Sequence, residues 1–403
     1  MVPPIRCLAL LIILAIPCAA EGPTRLTLDD ITPAVARDAM ESGTAFLLQT
    51  QNPDGSWGGA TDGITTWGGG VWYAPESHRA WRVATTGLCF LTLLEIDPSP
   101  ERLAAADRAL DYLTANMPVK RINAADTMNC WPNIYGLQAL AAAYGHARYA
   151  PRRDEILGAA KIVLAQLGYH QSLSGGWGYF EAKEPRTARP QWATSFTTGA
   201  AVIALLEAKQ QGLPVDEAVL QRAIKAVQRC RLPNGAYTYS VRAIAHPWSI
   251  GSINRVKGSL SRIQTCNLAL LMAGEEMPQE RLRTGMDNFF HHHRFLEIAL
   301  HKPIPHEAYY QNSGYFYMFG HYYAARVIQQ LPQQDRNQYW PRLQFEIIKI
   351  QQRDGSMWDY DHHAYDRPYG TAFGVMALHR SLQDQQPTEP ATSASVDQAS
   401  ENP

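Results

Sequence analysis

The sequence predicts an all-α fold in which six helical hairpins, each with an outer and an inner helix, close into an (α/α)6 toroid. Three observations lead to this prediction. Helix-like segments alternate with Gly-, Trp- and Pro-rich turns from Thr32 to Leu382, and strand alternation is nearly absent. Similar return segments also recur at spacings of roughly 45 to 60 residues, which is typical of a repeat array.

The last predicted hairpin, in residues 345–378, shows the pattern most clearly. Its two helices flank a turn at Asp354-Gly355-Ser356, where glycine supplies the left-handed backbone that such a turn needs. An apolar stripe of helical spacing runs from Tyr369 to Ala377 on the second helix. One hairpin cannot bury both apolar faces, so it requires neighbours of its own type.

The other hairpins follow in chain order from the same alternation. An open solenoid would have end repeats with a polar outer face, whereas here the first and last hairpins are the most typical, so a closed ring is predicted. The predicted outer helices are Ala34–Gln51, Leu103–Thr114, Glu155–Leu167, Glu217–Arg229, Glu280 to about Leu296, and Arg336–Gln352. The predicted return segments are Thr86–Leu93, Tyr135–Leu140, Thr198–Leu205, Thr265–Leu270, Gly320–Ala325 and Thr371–Leu378.

The N-terminus has the pattern of an export signal. Arg6 is its one positive charge, the run from Cys7 to Ile16 is apolar, and small residues lead to a cleavage site after Ala20. Cys18 is an alternative site of lipid attachment, but Pro17 just before it suits lipoprotein processing poorly. We therefore expect a cleaved signal peptide and export to the periplasm or the extracellular space.

The expected organisation is a signal peptide at 1–20, a toroid at 21–382 and a disordered Pro-, Ser-, Gln- and Glu-rich tail at 383–403.

The net charge is −1 and the 36 basic residues are scattered, so the basic patch of a nucleic-acid-binding protein is missing. Beyond the signal, no stretch reaches the about 18 apolar residues of a membrane span. The four remaining cysteines fit either disulfides or small core residues; they are Cys89, Cys130, Cys230 and Cys266.

Two turns carry a motif that points to a known family. The QW repeat of squalene and triterpene cyclases is matched by Phe46-Leu47, Gln51, Gly55 and Trp57 and, one position out of step, by Gln351, Gly355 and Trp358. The chain as a whole resembles the prenyltransferase and squalene-oxidase repeat family, whose fold is an α/α toroid. The Asp-x-Asp-Asp acid of the protonating cyclases and the DDxxD diphosphate motif are both missing from the sequence. A squalene- or hopene-type cyclisation is therefore not expected.

The same resemblance implies zinc as a candidate cofactor. Protein prenyltransferase β subunits hold zinc with an Asp-x-Cys pair and a distant histidine, and Cys266 and His321 lie at similar places, with Gln264 where the aspartate belongs. Both residues open adjacent return helices, so we expect them near a common mouth. Zinc needs three or four ligands, however, and no third ligand has a diagnostic spacing. The alternative is that Cys266 is a small packing residue and His321 a polar group of the pocket.

Aromatic residues cluster in the turns and at the starts of the return helices, where a toroid would place them around one mouth. An aromatic wall can enclose an isoprenoid chain, stabilise a cation or stack on sugars. Asp359, Asp361 and Asp366 at the last turn fit either a glycoside-cleaving pair or turn capping. The predicted substrate-binding residues are Trp81, Trp131, Tyr135, Trp192, Arg262, Tyr322 and Tyr369.

The functional hypothesis is an exported toroid whose aromatic pocket binds, and as a further step chemically alters, an isoprenoid or other apolar small molecule. One alternative is an exported carbohydrate-active or glycan-binding toroid that uses Trp and Asp at the mouth. Another is a non-catalytic scaffold that binds a protein partner. The run His291-His292-His293 is interpreted as solvent-facing, because consecutive helical residues diverge by about 100°.

Overall fold

A computed structural model of the chain describes residues 26–59, 74–124, 126, 128–179, 181–242 and 251–385. The predicted signal peptide and almost all of the predicted tail lie outside these residues. The described part is all-helical, with two isolated β-bridges and thirteen α-helices. These are α1 Pro33–Gln49, α2 Pro75–Glu95, α3 Pro100–Asn116, α4 Cys130–Gly145, α5 Arg153–His170, α6 Ser195–Gln210, α7 Glu217–Cys230, α8 Leu260–Met272, α9 Gln279–His291, α10 Arg294–Glu297, α11 Phe316–Ile328, α12 Gln333–Ile348 and α13 Asp366–Asp384.

The predicted (α/α)6 toroid is confirmed. The inner helices α2, α4, α6, α8, α11 and α13 each pack against the next, and α13 packs back against α2. At this closing contact, the Thr92 hydroxyl donates to the Ala372 carbonyl oxygen across 3.2 Å. Nearby, Arg380 forms an ion pair with Glu95 across 2.7 Å. The inner helices form the core of the ring, and every residue of α11 is buried.

One repeated hydrogen bond joins neighbouring outer helices. A glutamine after an outer helix donates its Nε2 protons to the carbonyl of its own turn glycine and to a carbonyl of the next outer helix. The second bond measures 2.8 Å from Gln51, 2.9 Å from Gln171 and 2.8 Å from Gln351. The accepting carbonyls belong to Ala105 on α3, Val219 on α7 and Ala39 on α1, respectively. The third bond ties the last outer helix to the first.

Glycine is required at the turn that follows each of these glutamines. Gly55, Gly175 and Gly355 have φ values of 87°, 91° and 85°, which confirms the left-handed turn predicted at Gly355. A Cβ at these positions would lie 2.2, 2.7 and 2.3 Å from a carbonyl oxygen of the next outer helix. Side chains are therefore excluded both by the backbone conformation and by the approach of the neighbour.

The structure corrects the register of the motif at the last turn. The indole nitrogens of Trp57 and Trp177 donate to carbonyls of their own outer helices, across 2.7 and 3.0 Å. At the last turn the equivalent position is the fully buried Met357. Trp358 instead lies against the His301 ring, with 3.7 Å between ring centroids. The motif is therefore in step with the others, with methionine in place of tryptophan.

The fifth outer helix differs from its prediction because it is broken. It consists of α9 and the short α10, with the break at His292 and His293. The interpretation of His293 as solvent-facing is wrong, since only 3% of this residue is exposed. The break turns its ring inward, where Nδ1 lies 2.8 Å from Glu297 Oε1.

The four cysteines of the described part are free and buried. They act as small core residues, which was one of the two interpretations of their spacing. In the same described residues, no helix combines the length and apolar character that crossing a membrane requires.

Replacing Gln351 with alanine tests the closure of the outer ring. We expect Gln351→Ala to lower the free energy of unfolding by about 1 to 3 kcal/mol, because two carbonyls lose their donor. The matched control is Gln352→Ala, whose amide donates only within its own turn, to the Ile350 carbonyl at 2.8 Å. Urea unfolding measures both variants. An equal loss of unfolding free energy in the two variants would show that the Gln351 hydrogen bond to α1 contributes nothing to closure.

Candidate ligand-binding chamber

A chamber of about 260 Å³ lies inside the ring, at the N-terminal ends of four inner helices and beside the middle of a fifth. The four are α4, α6, α11 and α13, the fifth is α2, and segments around residues 305–306 and 360–365 complete the wall. The repeat places the start of each inner helix at the same end of the ring, which explains why aromatic residues distant in sequence meet there. The lining residues are Trp81, Ala84, Thr85, Leu88, Met128, Trp131, Tyr135, Tyr179, Phe196, Pro305, His306, Tyr315, Phe316, Phe319, Tyr360, His362, Tyr365, Tyr369 and Phe373.

The described residues of the chamber wall are mostly aromatic. Among the described residues that line it there is no Asp, Glu, Lys or Arg. The rings contact one another: Trp131 stacks on Tyr135 with 5.5 Å between centroids, and Phe196 meets Phe319 edge to face at 5.7 Å. Such a wall binds apolar groups by excluding water and offers ring faces to a ligand.

The structure brings together four of the seven residues predicted to bind substrate. Trp81, Trp131, Tyr135 and Tyr369 line the chamber. Trp192 lies behind the wall, edge-on to the Tyr179 ring with 5.1 Å between centroids. Tyr322 is buried one layer deeper along α11, with its ring 5.0 Å from that of Phe373.

Arg262, the seventh predicted residue, is buried on α8 behind the aromatic wall. Its Nε lies 3.4 Å from the Tyr237 carbonyl oxygen, and its guanidinium also donates to the Ile253 carbonyl. The guanidinium faces the Tyr239 ring, 5.4 Å from the centroid. Burial lowers the pKa of Arg262 to about 10, so the group remains a cation at neutral pH.

The two predicted zinc ligands point to different neighbours. The Cys266 thiol faces the Ser195 carbonyl oxygen on α6, 3.6 Å away. His321 uses both ring nitrogens elsewhere: Nδ1 is 2.7 Å from the Tyr317 carbonyl oxygen, and Nε2 is 3.0 Å from His293 Nε2. Burial raises the pKa of the Cys266 thiol well above its usual value, which disfavours the thiolate that zinc requires.

Within the described residues, one group of His, Cys, Asp or Glu side chains has the spacing of metal ligands. It consists of His293, Glu297 and Glu346, and it includes neither Cys266 nor His321. The Lys349 ammonium lies 3.0 Å from Glu297 and also pairs with Glu346, so a positive charge already occupies this group. The arrangement of Cys266 and His321 therefore does not fit a zinc site.

The acidic residues of the last turn lie outside the chamber wall. Asp359 is fully buried behind Tyr369, whose hydroxyl donates to Asp359 Oδ1 across 2.7 Å. The backbone N–H of Met318 donates to Oδ2 across 2.8 Å. Burial outweighs these bonds and raises the pKa of Asp359 to about 7. Asp361 is exposed, and burial raises the pKa of Asp366 to about 6.

A polar cluster at one end of the chamber was not predicted. His306 Nε2 lies 3.0 Å from the Tyr315 hydroxyl and 3.2 Å from the Tyr239 hydroxyl. The Tyr179 hydroxyl is 3.2 Å from that of Tyr315 and also contacts that of Tyr239. We call these four residues the Tyr–His cluster. Tyr315 directly precedes α11, where the sequence predicts aromatic residues, but His306 lies in a long connection with no motif to reveal it.

The fold has relatives among solved structures of different activity. An inactive variant of the α-1,6-mannanase GH76A of Salegentibacter sp. HEL1_6, in complex with α-1,6-mannotetrose, is 13% identical with a TM-score of 0.57 and covers 88% of this chain and 99% of its own. A variant of the type II terpene cyclase MstE from Scytonema, in complex with geranylgeranyl dihydroxybenzoate, is 15% identical with a TM-score of 0.51 and covers 87% and 99%. A D-mannose isomerase is 13% identical with a TM-score of 0.55 and covers 90% and 100%.

No protein-family model matches the chain, and no curated protein sequence does so either. At these identities the solved structures show the fold alone. The α/α toroid is therefore common to a terpene cyclase and to sugar-active enzymes, and the choice between ligand classes depends on the chamber itself.

The raised pKa of Asp359 predicts a pH dependence of stability. Its native pKa of about 7 lies above the ordinary value of 3.8, so the native state binds this proton more tightly than the unfolded state. The contribution of this proton to the free energy of unfolding is fully present below about pH 4 and is lost as pH rises towards 7. We expect Asp359→Asn to remove a slope of up to about 1.4 kcal/mol per pH unit from the free energy of unfolding.

Urea unfolding between pH 4 and 8 measures this effect. The matched control is Asp361→Asn, which changes an exposed carboxyl of the same turn and should leave the slope unchanged. Parallel curves for wild type and Asp359→Asn would mean that Asp359 titrates at its ordinary pKa.

Proposed function

We propose that the chamber binds the hydrocarbon part of an isoprenoid or another apolar small molecule. The observation that carries this proposal is the aromatic wall without a charged side chain among its described residues. Moving apolar ligand surface from water into such a wall is favourable by about 25 cal/mol per Å². The volume of about 260 Å³ is near the lower end of small-molecule pockets, which favours a compact ligand or a short segment of a longer one.

A glycan ligand is the second candidate, and it is supported by the mannanase and the mannose isomerase that share the fold. Glycoside cleavage generally uses two carboxyl groups, about 5 to 9.5 Å apart, that flank the scissile bond. The described chamber wall has none, and the buried Asp359 is separated from it by Tyr369. The chamber therefore favours the apolar ligand.

We assign ligand binding to the chamber and no catalytic step. The sequence has no cyclase acid, and the described wall presents no carboxyl group to a ligand. A non-catalytic role, including the recruitment of a protein partner, is compatible with the same chamber. Turnover of a bound isoprenoid, detected by mass spectrometry as a new product, would add an enzymatic step.

Membership of the repeat family and export of the chain remain predictions, and each has its own support. The recurrence of the Gln51 hydrogen bond at Gln171 and Gln351 supports membership of the prenyltransferase and squalene-oxidase repeat family. Export depends on the N-terminal sequence alone, and N-terminal sequencing of the mature protein tests cleavage after Ala20. Zinc binding is predicted only by the resemblance to protein prenyltransferase β subunits. Metal analysis that finds stoichiometric zinc, lost in Cys266→Ala, would establish it against the geometry described above.

Equilibrium dialysis with farnesene, a hydrocarbon of isoprenoid units, tests the proposal. We expect saturable binding that weakens about tenfold in Trp131→Ala, because an aromatic ring of the wall is removed. The matched control is Trp358→Ala, since Trp358 lies outside the wall against His301. Saturable binding of mannotetraose together with no binding of farnesene would contradict the proposal and favour the glycan ligand.

A further inference from the structure

The Tyr–His cluster is the polar end of an otherwise apolar chamber. Tyr179, Tyr315 and His306 line the chamber, whereas Tyr239 lies behind them. Four contacts join the four groups into a closed ring: His306 with Tyr315, Tyr315 with Tyr179, Tyr179 with Tyr239, and Tyr239 with His306. A ligand that enters the chamber therefore meets several hydrogen-bonding groups close together at this end.

The tautomer of His306 is set by its other nitrogen. Nδ1 lies 2.7 Å from the Gln311 carbonyl oxygen, which only accepts hydrogen bonds, so Nδ1 carries the proton. The neutral ring then presents one lone pair at Nε2. Both Tyr315 and Tyr239 face this single lone pair, at 3.0 and 3.2 Å.

The Tyr–His cluster has fewer protons than hydrogen-bonding contacts. Its three phenols supply three protons, whereas the closed ring contains four contacts. One contact therefore lacks a proton, and each phenol oxygen keeps additional lone-pair capacity. A ligand that brings its own O–H into the chamber can donate it to the lone pair of one of these phenol oxygens.

The electrostatic setting selects against charged head groups. The buried Arg262 guanidinium lies 5.4 Å from the centroid of the Tyr239 ring, and the N-terminal ends of α4, α6, α11 and α13 lie at the chamber. Both carry positive charge and disfavour an ammonium group. Burial and Arg262 also lower the pKa of His306 and keep its ring neutral. Arg262 donates to backbone carbonyls behind the wall, so a phosphate group in the chamber would find no cationic N–H donor among the described lining residues.

We propose that the Tyr–His cluster binds one neutral hydroxyl group of an apolar ligand, so that the chamber prefers an alcohol to the corresponding hydrocarbon, amine or diphosphate. This inference depends on the proposed function, because it concerns the polar end of the same chamber. It applies equally to a prenyl alcohol and to any other compact hydrocarbon with one hydroxyl group.

Binding of farnesol and farnesene, compared by equilibrium dialysis, tests the inference. One neutral hydrogen bond corresponds to about 5- to 10-fold tighter binding of farnesol. The double variant Tyr179→Phe/Tyr315→Phe should bring the farnesol-to-farnesene affinity ratio close to one, because both phenol oxygens are lost while the ring faces of the wall remain. His306→Phe is a second variant that removes the Nε2 acceptor and should act in the same way. Thermal unfolding confirms that each variant is folded.

The matched control is Tyr360→Phe/Tyr365→Phe, which removes two other phenols of the chamber wall. Their hydroxyls donate to the Pro303 and His78 carbonyl oxygens, each across 3.1 Å, so the alcohol preference should persist. Equal affinity of wild type for farnesol and farnesene, or tighter binding of farnesyl diphosphate, would overturn the inference and leave the proposed function intact. Failure of both farnesene and farnesol to bind would overturn the proposed function itself.

Discussion

Closure of the ring is the constraint on which the rest of the structure depends. Hairpins with two apolar faces have no stable end in an open array, and here the last inner helix packs against the first. The Gln351 amide makes the same closure in the outer ring by donating to Ala39 on α1. Once the ring is closed, the inner helices begin on one common side, and a chamber forms where their first turns meet.

Aromatic rings form the wall of the chamber, and charged side chains lie behind them. Aromatic side chains occupy its wall, while the charged or ionisable groups behind it are held by backbone atoms or by the wall itself. Arg262 donates to backbone carbonyls, and Asp359 accepts from Tyr369 and from a backbone N–H. These partners reduce the cost of burying each group away from water. The result is a largely aromatic wall, although charged groups lie one layer behind it.

The sequence was sufficient for the fold because the fold depends on local signals. A turn glycine and a glutamine recur with a constant relation to three of the six outer helices, and return segments such as Thr198–Leu205 repeat an apolar pattern. The errors had local causes too. Met357 hid the register of the last motif because methionine replaced the expected tryptophan, and the helix break before His293 turned inward a residue that an unbroken helix would have exposed.

The site was only partly predictable, because a position at the start of an inner helix does not fix the direction of a side chain. Trp131 and Tyr369 point into the chamber, whereas Arg262 turns towards Tyr239 and Cys266 towards α6. His306 reaches the chamber from a long connection whose path no sequence pattern records. The expectation that Cys266 and His321 share a site used the same assumption, but Cys266 contacts Ser195 whereas His321 contacts Tyr317 and His293.

Native mass spectrometry of the protein as purified from its producing cells can detect a bound ligand without any choice of ligand in advance. We expect a bound compound of low molecular mass that organic solvent extracts and that lacks sugar units. A retained oligosaccharide would contradict it.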